Sequence, residues 1–417
     1  MEKSGKFCLT SLERNWILYD VGNSAFVLMV ATLIPIFFNA LAAAGGLSSV
    51  EYLAYWGYAS SAVTIITAVL SPILGTVADT KGFKKPIFIL CVFVGIVGCC
   101  AMGAVSAWLP FLVIFVIAKV GFSGSLVFYD SMLSDVTTPE RMDEVSSRGY
   151  AWGYIGSCVP FVVCLGLVLG AGSIGISQMT ALNLALLLTA AWWLLTTLPL
   201  LKSYKQLYYV EVEKHAVRQS FARIGHTLRH LPEDKQVFWF LLAFFCYIDG
   251  VYTIIDMATA YGTALGLDTT GLLLALLVTQ IVAFPSALVF GRLSNKYPSA
   301  KLIPVCIAAY AGIAVFAFFL TRQWQFWVLA VIVGMFQGGV QALSRSHFAK
   351  IIPPEKSGEY FGLFDICGKG ASFLGTMIVS VGSQLTGSAN VGVGSLIVLF
   401  IVGFVLFRVS CRQGETA

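Results

Sequence analysis

Gly75-Thr76-Val77-Ala78-Asp79-Thr80-Lys81-Gly82-Phe83-Lys84-Lys85 is a short basic connector between two long apolar runs. A degraded copy, Gly291-Arg292-Leu293-Ser294-Asn295-Lys296, stands 216 residues later, with Asn295 in place of the acid and no counterpart of Gly82. A second pair repeats at nearly the same distance. Thr138-Pro139-Glu140-Arg141 and Pro353-Pro354-Glu355-Lys356 lie 215 residues apart. Two matches at almost one offset mark a duplicated unit, and parallel repeats of this kind build transporters with a site where the repeats meet.

The residues around these connectors are apolar. The 417 residues are 58% hydrophobic and 11% charged, against roughly 25% charged in a soluble domain. Twelve apolar spans follow one another, near 16–44, 52–78, 86–106, 108–134, 149–171, 178–201, 237–262, 268–291, 301–321, 324–349, 359–385 and 391–407. A bilayer helix needs about 20 such residues, whereas a barrel strand needs about 10 in alternation. The expected fold is therefore all-α, with twelve membrane helices in two pseudo-symmetric six-helix halves. The boundaries read as 1–201, a hydrophilic linker 202–236 and 237–417. Span 1 follows a polar segment, exceeds a signal-peptide core in length and precedes no cleavage site, so it reads as a retained helix.

All but Lys119, Arg322 and Lys369 of the 26 Lys and Arg lie in the tails, in the even-numbered loops or at span ends beside them. That asymmetry places both termini in the cytoplasm. It accounts for the net charge of +5 through topology, with no nucleic-acid partner. The ten cysteines form no C-x-x-C and read as packing residues, not as a metal or disulfide framework. The linker holds His215, His226 and His230 and the pattern Phe221, Ile224, Leu228, Leu231, which suits a short helix on the membrane surface. No Gly-x4-Gly-Lys-Ser/Thr run is present to bind a nucleotide. No cofactor, metal site or enzymatic constellation is expected, and His347 reads as an interfacial histidine.

The Gly75–Lys85 connector resembles the loop signature of the major facilitator superfamily. A narrower resemblance rests on Asn15-Trp16-Ile17-Leu18-Tyr19-Asp20-Val21-Gly22-Asn23-Ser24, Ser147-Arg148-Gly149-Tyr150-Ala151-Trp152-Gly153-Tyr154, Gly338-Gly339-Val340-Gln341-Ala342-Leu343-Ser344-Arg345 and Tyr360-Phe361-Gly362-Leu363-Phe364-Asp365. Together these are similar to the vacuole-effluxer-like branch, whose fungal members are associated with amino-acid export from the vacuole. The resemblance implies the major facilitator fold, alternating access and a central cavity lined by spans 1, 4, 7 and 10. Gly75, Asp79, Gly82, Lys84 and Lys85 are expected to gate. Glycine permits close helix contact, and the charges bond loop to helix end in one conformation.

Charges inside spans cost about 3 kcal/mol or more each and so face a cavity or a partner. Seven are found: Asp20, Lys119, Asp130, Asp249, Asp256, Asp365 and Lys369. Span 10 adds Gln337, Gln341 and Arg345, four apart and so on one face. Substrate binding is expected from Asp20, Asn23, Lys119, Ser123, Asp249, Gln337 and Gln341. A buried Lys and a buried Asp would hold the two ends of a zwitterion. Tyr19, Phe128, Tyr129, Trp152 and Tyr154 are candidates to line the cavity. The driving proton is expected on Asp20, Asp249 or Asp256. Asp365 is a further candidate, unless it only pairs with Lys369 four residues away. Asp130, Arg345 and Lys369 are read as gating charges.

The expected protein is a monomeric, proton-coupled carrier of a small polar metabolite, an amino acid first. It would sit in the inner membrane of a bacterium, or in a vacuolar or lysosomal membrane of a eukaryote. A drug or sugar exporter of the same fold, a lipid flippase and a transport-dead receptor are the alternatives.

Overall fold

The computed structural model describes residues 7–211, 225–227 and 229–415, apart from the side chains at 49–50, 53, 259–260, 264, 269–270, 273, 369–373 and 415. His215, Phe221, Ile224, Leu228 and the Lys369 side chain lie outside the described residues. Span 1 is Ser11–Ala31 continued by Leu33–Ala44, with a break at Thr32. Spans 2 to 6 are Ser49–Ala78, Lys84–Met102, Trp108–Ser131, Met142–Leu169 and Gln178–Ser203. Spans 7 to 12 are Lys235–Ala264, Thr269–Leu293, Ser299–Phe318, Gln323–Ile351, Ser357–Thr386 and Ile397–Glu415. Among the described residues, eleven helices are long and apolar enough to cross a membrane. The 30-residue helix Ser357–Thr386, packed on spans 2 and 7, completes twelve.

Hydropathy located the lipid-facing parts of these helices and missed polar turns at their ends. Span 5 starts seven residues before the apolar run, because Asp143, Glu144, Ser146 and Ser147 are buried against other helices. Span 1 starts at Ser11, where Thr10 and Glu13 bond each other's backbone amides in a capping box.

The two halves repeat each other's packing. Span 1 packs on 5 and 6, as span 7 packs on 11 and 12; spans 3 and 4 pack as 9 and 10 do. Across the middle, span 2 packs on 11 and span 8 on 5, the same contact with the halves exchanged. A pseudo-twofold axis along the helices therefore relates residues of the two repeats. Hydrogen bonds between the halves cluster toward the ends of spans 2, 5, 8, 10 and 11 nearest the basic loops. This basic face is closed.

Backbone contact makes that closure tight. Spans 2 and 11 cross where Gly75 meets Gly358, and a Cβ on Gly75 would collide with the Gly358 carbonyl. Backbone cannot yield as a flexible side chain would, so the crossing requires glycine. Replacing Gly75 by Val should hold spans 2 and 11 apart. Spin labels at the exposed positions Thr138 and Lys296, in a cysteine-depleted background, should report a longer mean distance across the basic face than in the parent. An unchanged distance would refute the role given to this crossing.

Candidate functional site

The connector after span 2 closes onto the first turn of span 11. Asp79 accepts hydrogen bonds from the amides of Gly358 (Oδ1, 2.7 Å) and Glu359 (Oδ2, 2.9 Å). A carboxylate there satisfies two orphan donors and meets the positive end of the helix dipole. Lys84, with no exposed surface, places Nζ 2.9 Å from Ser357 Oγ, 3.4 Å from Asp135 and 3.9 Å from Asp79. Its neighbour Lys85 is half-buried and turned outward. Gly82 carries a φ of +79°, which L side chains rarely adopt, and so turns the chain into span 3. The copy at Asn295 sits at the equivalent contact and works differently. Asn295 donates to Glu144 (2.8 Å) in the first turn of span 5, and Arg148 holds that same carboxylate.

Further toward the centre, Arg345 leaves span 10 and enters a pocket of the first half. Its guanidinium donates to Asp130 Oδ1 (2.9 Å), Ser146 Oγ (2.9 Å) and the Ser146 carbonyl (3.0 Å). Asp20 lies 3.7 Å away. The rings of Trp16 and Tyr150 lie 4.7 and 4.3 Å from the guanidinium carbon, with Tyr129 at 5.4 Å. Cation–π contact strengthens when desolvated, and Arg345 is 2% exposed. Two carboxylates thus share one guanidinium. Asn23 donates to Asp20 Oδ1 at 3.4 Å.

The remaining candidates lie on spans 4, 7 and 10. Lys119 on span 4 rests its ammonium over Phe122 (4.7 Å) and Phe26 (6.0 Å). Asp256, on span 7 of the opposite half, is exposed. Gln337 and Gln341 are buried on span 10, and the Tyr154 hydroxyl crosses from span 5 to Gln341 Oε1 (3.3 Å). Ser123 is buried one turn beyond Lys119.

Not every candidate joins this arrangement. Asp249 is fully buried between spans 7 and 11, where Oδ1 accepts from the Gly375 amide (2.9 Å) and Thr253 (3.3 Å). Asp365 accepts from Ser71 Oγ (2.7 Å), a bond between the halves. Trp152 is exposed and packs on Phe284, away from the plug. Sequence reasoning passed over Ser146, Tyr150 and Asp135. An acid just past the end of span 4, close in the chain to the Thr138–Arg141 repeat, was the available signal for Asp135.

The model of a family described as vacuole effluxer Atg22 like matches residues 12–140 and 134–416. The chain belongs to that family. As an effluxer-family member it is 42% identical, over 98% of its length and 96% of the relative's, to an uncharacterized MFS-type transporter, YxiO, of Bacillus subtilis. It is 25% identical to autophagy-related protein 22 of Coccidioides immitis over 65% of this chain, and spans about half (51%) of that longer relative. Among solved structures it superposes on the human organic anion transporter MFSD10 with a TM-score of 0.72 at 14% identity, covering 95% of this chain and 98% of that one. The fucose transporter FucP, in the outward conformation, gives 0.71 at 16% identity, covering 96% and 97%. This effluxer-family chain is a secondary transporter of the major facilitator fold.

Removing one partner of a buried ion pair costs about 3–5 kcal/mol. Arg345→Gln should therefore convert the closed basic face into a minor state, read by the same pair of labels. Adding Asp130→Asn should restore part of the closed population, because the orphaned carboxylate is then gone. Equal populations in parent and single variant would exclude Arg345 as a gate.

Proposed function

We propose that this transporter carries a zwitterionic metabolite, an amino acid, and that Lys119 and Asp256 hold its two ends. The reading is supported by opposite charges on spans 4 and 7, one from each half: Lys119 half-buried over Phe122, and Asp256 exposed. A carboxylate would meet the Lys119 ammonium and an amine would meet Asp256, while Phe122 and Phe26, buried in the core of the first half, support the lysine from below. Gln337, Gln341, Asn23 and Ser123 supply neutral donors and acceptors close by. A bound zwitterion tied to both halves lets residues 1–201 and 237–417 rock as bodies about one site, joined by 202–236. The monomer is taken as the working unit, because the residues assigned to the substrate all lie on one chain. The basic face is read as cytoplasmic from its lysines and arginines.

Proton coupling follows from the charge count at the plug. Opening the basic face withdraws Arg345 and leaves Asp20 and Asp130 facing each other without their cation. Two unpaired carboxylates in an apolar bundle are costly. A proton on one of them would replace the withdrawn charge, and Asp20, whose Oδ2 lies 3.7 Å from Arg345 with no hydrogen bond to it, is the proposed acceptor.

The test is ligand binding and flux with purified protein in proteoliposomes. Amino acids should raise thermal stability, whereas their amides, the decarboxylated amines and sugars should not. Lys119→Gln and Asp256→Asn each remove a charge-assisted contact of about 1.5–3 kcal/mol, weakening binding on the order of tenfold or more. Binding unaffected by both variants would reject the assignment. Separately, Asp20→Asn should abolish uptake driven by a pH gradient while leaving counterflow exchange intact. Gradient-driven uptake that survives in this variant would place the proton elsewhere.

A further inference from the structure

Residues 204–211, directly after span 6, lie as a strap along the gate connector. The Val210 amide donates to the Asp79 carbonyl (2.8 Å) and the Lys81 amide to the Val210 carbonyl (3.3 Å), closing a single parallel bridge. Asp135 Oδ1 accepts the amides of Leu207 and Tyr208, both at 2.9 Å, and the Tyr204 hydroxyl donates to Oδ2. The Gly82 amide donates to Gln206 (3.0 Å). The start of the linker is thus docked, by side chain and backbone, onto the element that gates.

Between strap and span 3 opens a pocket of about 580 Å³. Lys81 and Lys85 from the connector and Lys205 from the strap stand around it, with Tyr209 on one wall and Pro86 and Ile89 on the other. Lys81 pairs with Glu211 at 3.4 Å, both largely exposed, so the pair contributes little and the ammonium remains available. The ammonium also lies over the Tyr209 ring at 4.8 Å, and contact with Tyr209 and Glu211 holds it above the usual lysine range. Three lysines against one carboxylate leave the pocket cationic. Below it, Ile89, Phe93 and Val97 recur every four residues on span 3 and are all exposed, an apolar ridge running into the membrane from the pocket's edge.

We propose that this pocket binds the phosphate headgroup of an anionic phospholipid from the leaflet bordering the basic face, its chains lying on the Ile89–Phe93–Val97 ridge. Lysines alone attract any phosphate, since basic pockets between membrane helices take anionic headgroups and free anions by the same charge. The adjoining ridge is what selects a ligand with a hydrocarbon tail. Because the walls belong to connector and strap, a headgroup bridges the gate loop to the linker.

The experiment uses the full chain purified from nanodiscs made of equimolar phosphatidylglycerol and phosphatidylcholine, with retained lipid read by native mass spectrometry. Phosphatidylglycerol should be retained preferentially. Lys81→Gln/Lys85→Gln/Lys205→Gln should lower that retention roughly fivefold or more, the effect of at least one basic contact. Arg292→Gln/Lys296→Gln/Lys301→Gln removes the same charge from exposed positions on the second half and should leave retention unchanged. Thermal unfolding of both variants reports that each is folded. Equal loss in the two triple variants, or no preference for phosphatidylglycerol in the parent, overturns the proposal. Displacement of the lipid by millimolar inorganic phosphate would assign the pocket to a free anion and overturn it as well.

Discussion

A guanidinium on span 10 finds its charged and hydrogen-bonded partners, Asp130, Ser146 and Asp20, on spans of the other half. Inside an apolar bundle a cation must be matched, so this geometry ties charge neutrality to one relative position of the halves. The neighbouring contacts follow the same logic. Asp79 completes the open end of span 11, Lys84 is matched by Asp135 and Asp79, and Glu144 receives Asn295. Asp79, Asn295 and Arg345 are satisfied across the interface, whereas Lys84 pairs with Asp135 and Asp79 inside its own half and crosses only to Ser357. Closure is therefore specified by polar valence, while the apolar faces serve mainly to keep each half intact.

The two repeats use one architecture with different chemistry. Asp79 presents a charge to backbone amides of the opposite half, whereas Asn295 presents a donor to a carboxylate that Arg148 also holds. Duplication preserved the helix crossing, and substitution at the equivalent position put a carboxylate on one side and a neutral amide on the other. The ionic side also carries the strap from the linker, so the connector after span 2 joins both halves and the segment between them.

Much of this was legible in the residues. Span order, the duplication and the major facilitator signature stood in apolar periodicity and in two matching offsets, and the family match agrees. Charges in apolar spans drew attention to helices 1, 4 and 7, because such groups are tolerated only where something compensates them, and the polar stripe of helix 10 was added from the family resemblance. What stayed hidden depended on rotation and distance. Lys84 and Lys85 are indistinguishable by composition, yet helix phase buries one and turns the other to a pocket. Asp249 and Asp256 share a face by spacing, but Gly375 leaves room for span 11 to bring an amide against Asp249, while Asp256 stays exposed. The pairing of Arg345 with Asp130 spans 215 residues, beyond any local pattern.

The composition of the closed face has a thermodynamic corollary. The surfaces that meet there mix amides, carboxylates, hydroxyls and bare glycine backbone with the rings of Trp16, Tyr129 and Tyr150. Parting them hydrates polar groups, and polar and apolar exposure contribute to heat capacity with opposite signs. A gate of this composition opens with a small heat-capacity change. Its balance between open and closed then varies gently and nearly linearly with temperature, without the curvature that governs the unfolding of the halves themselves.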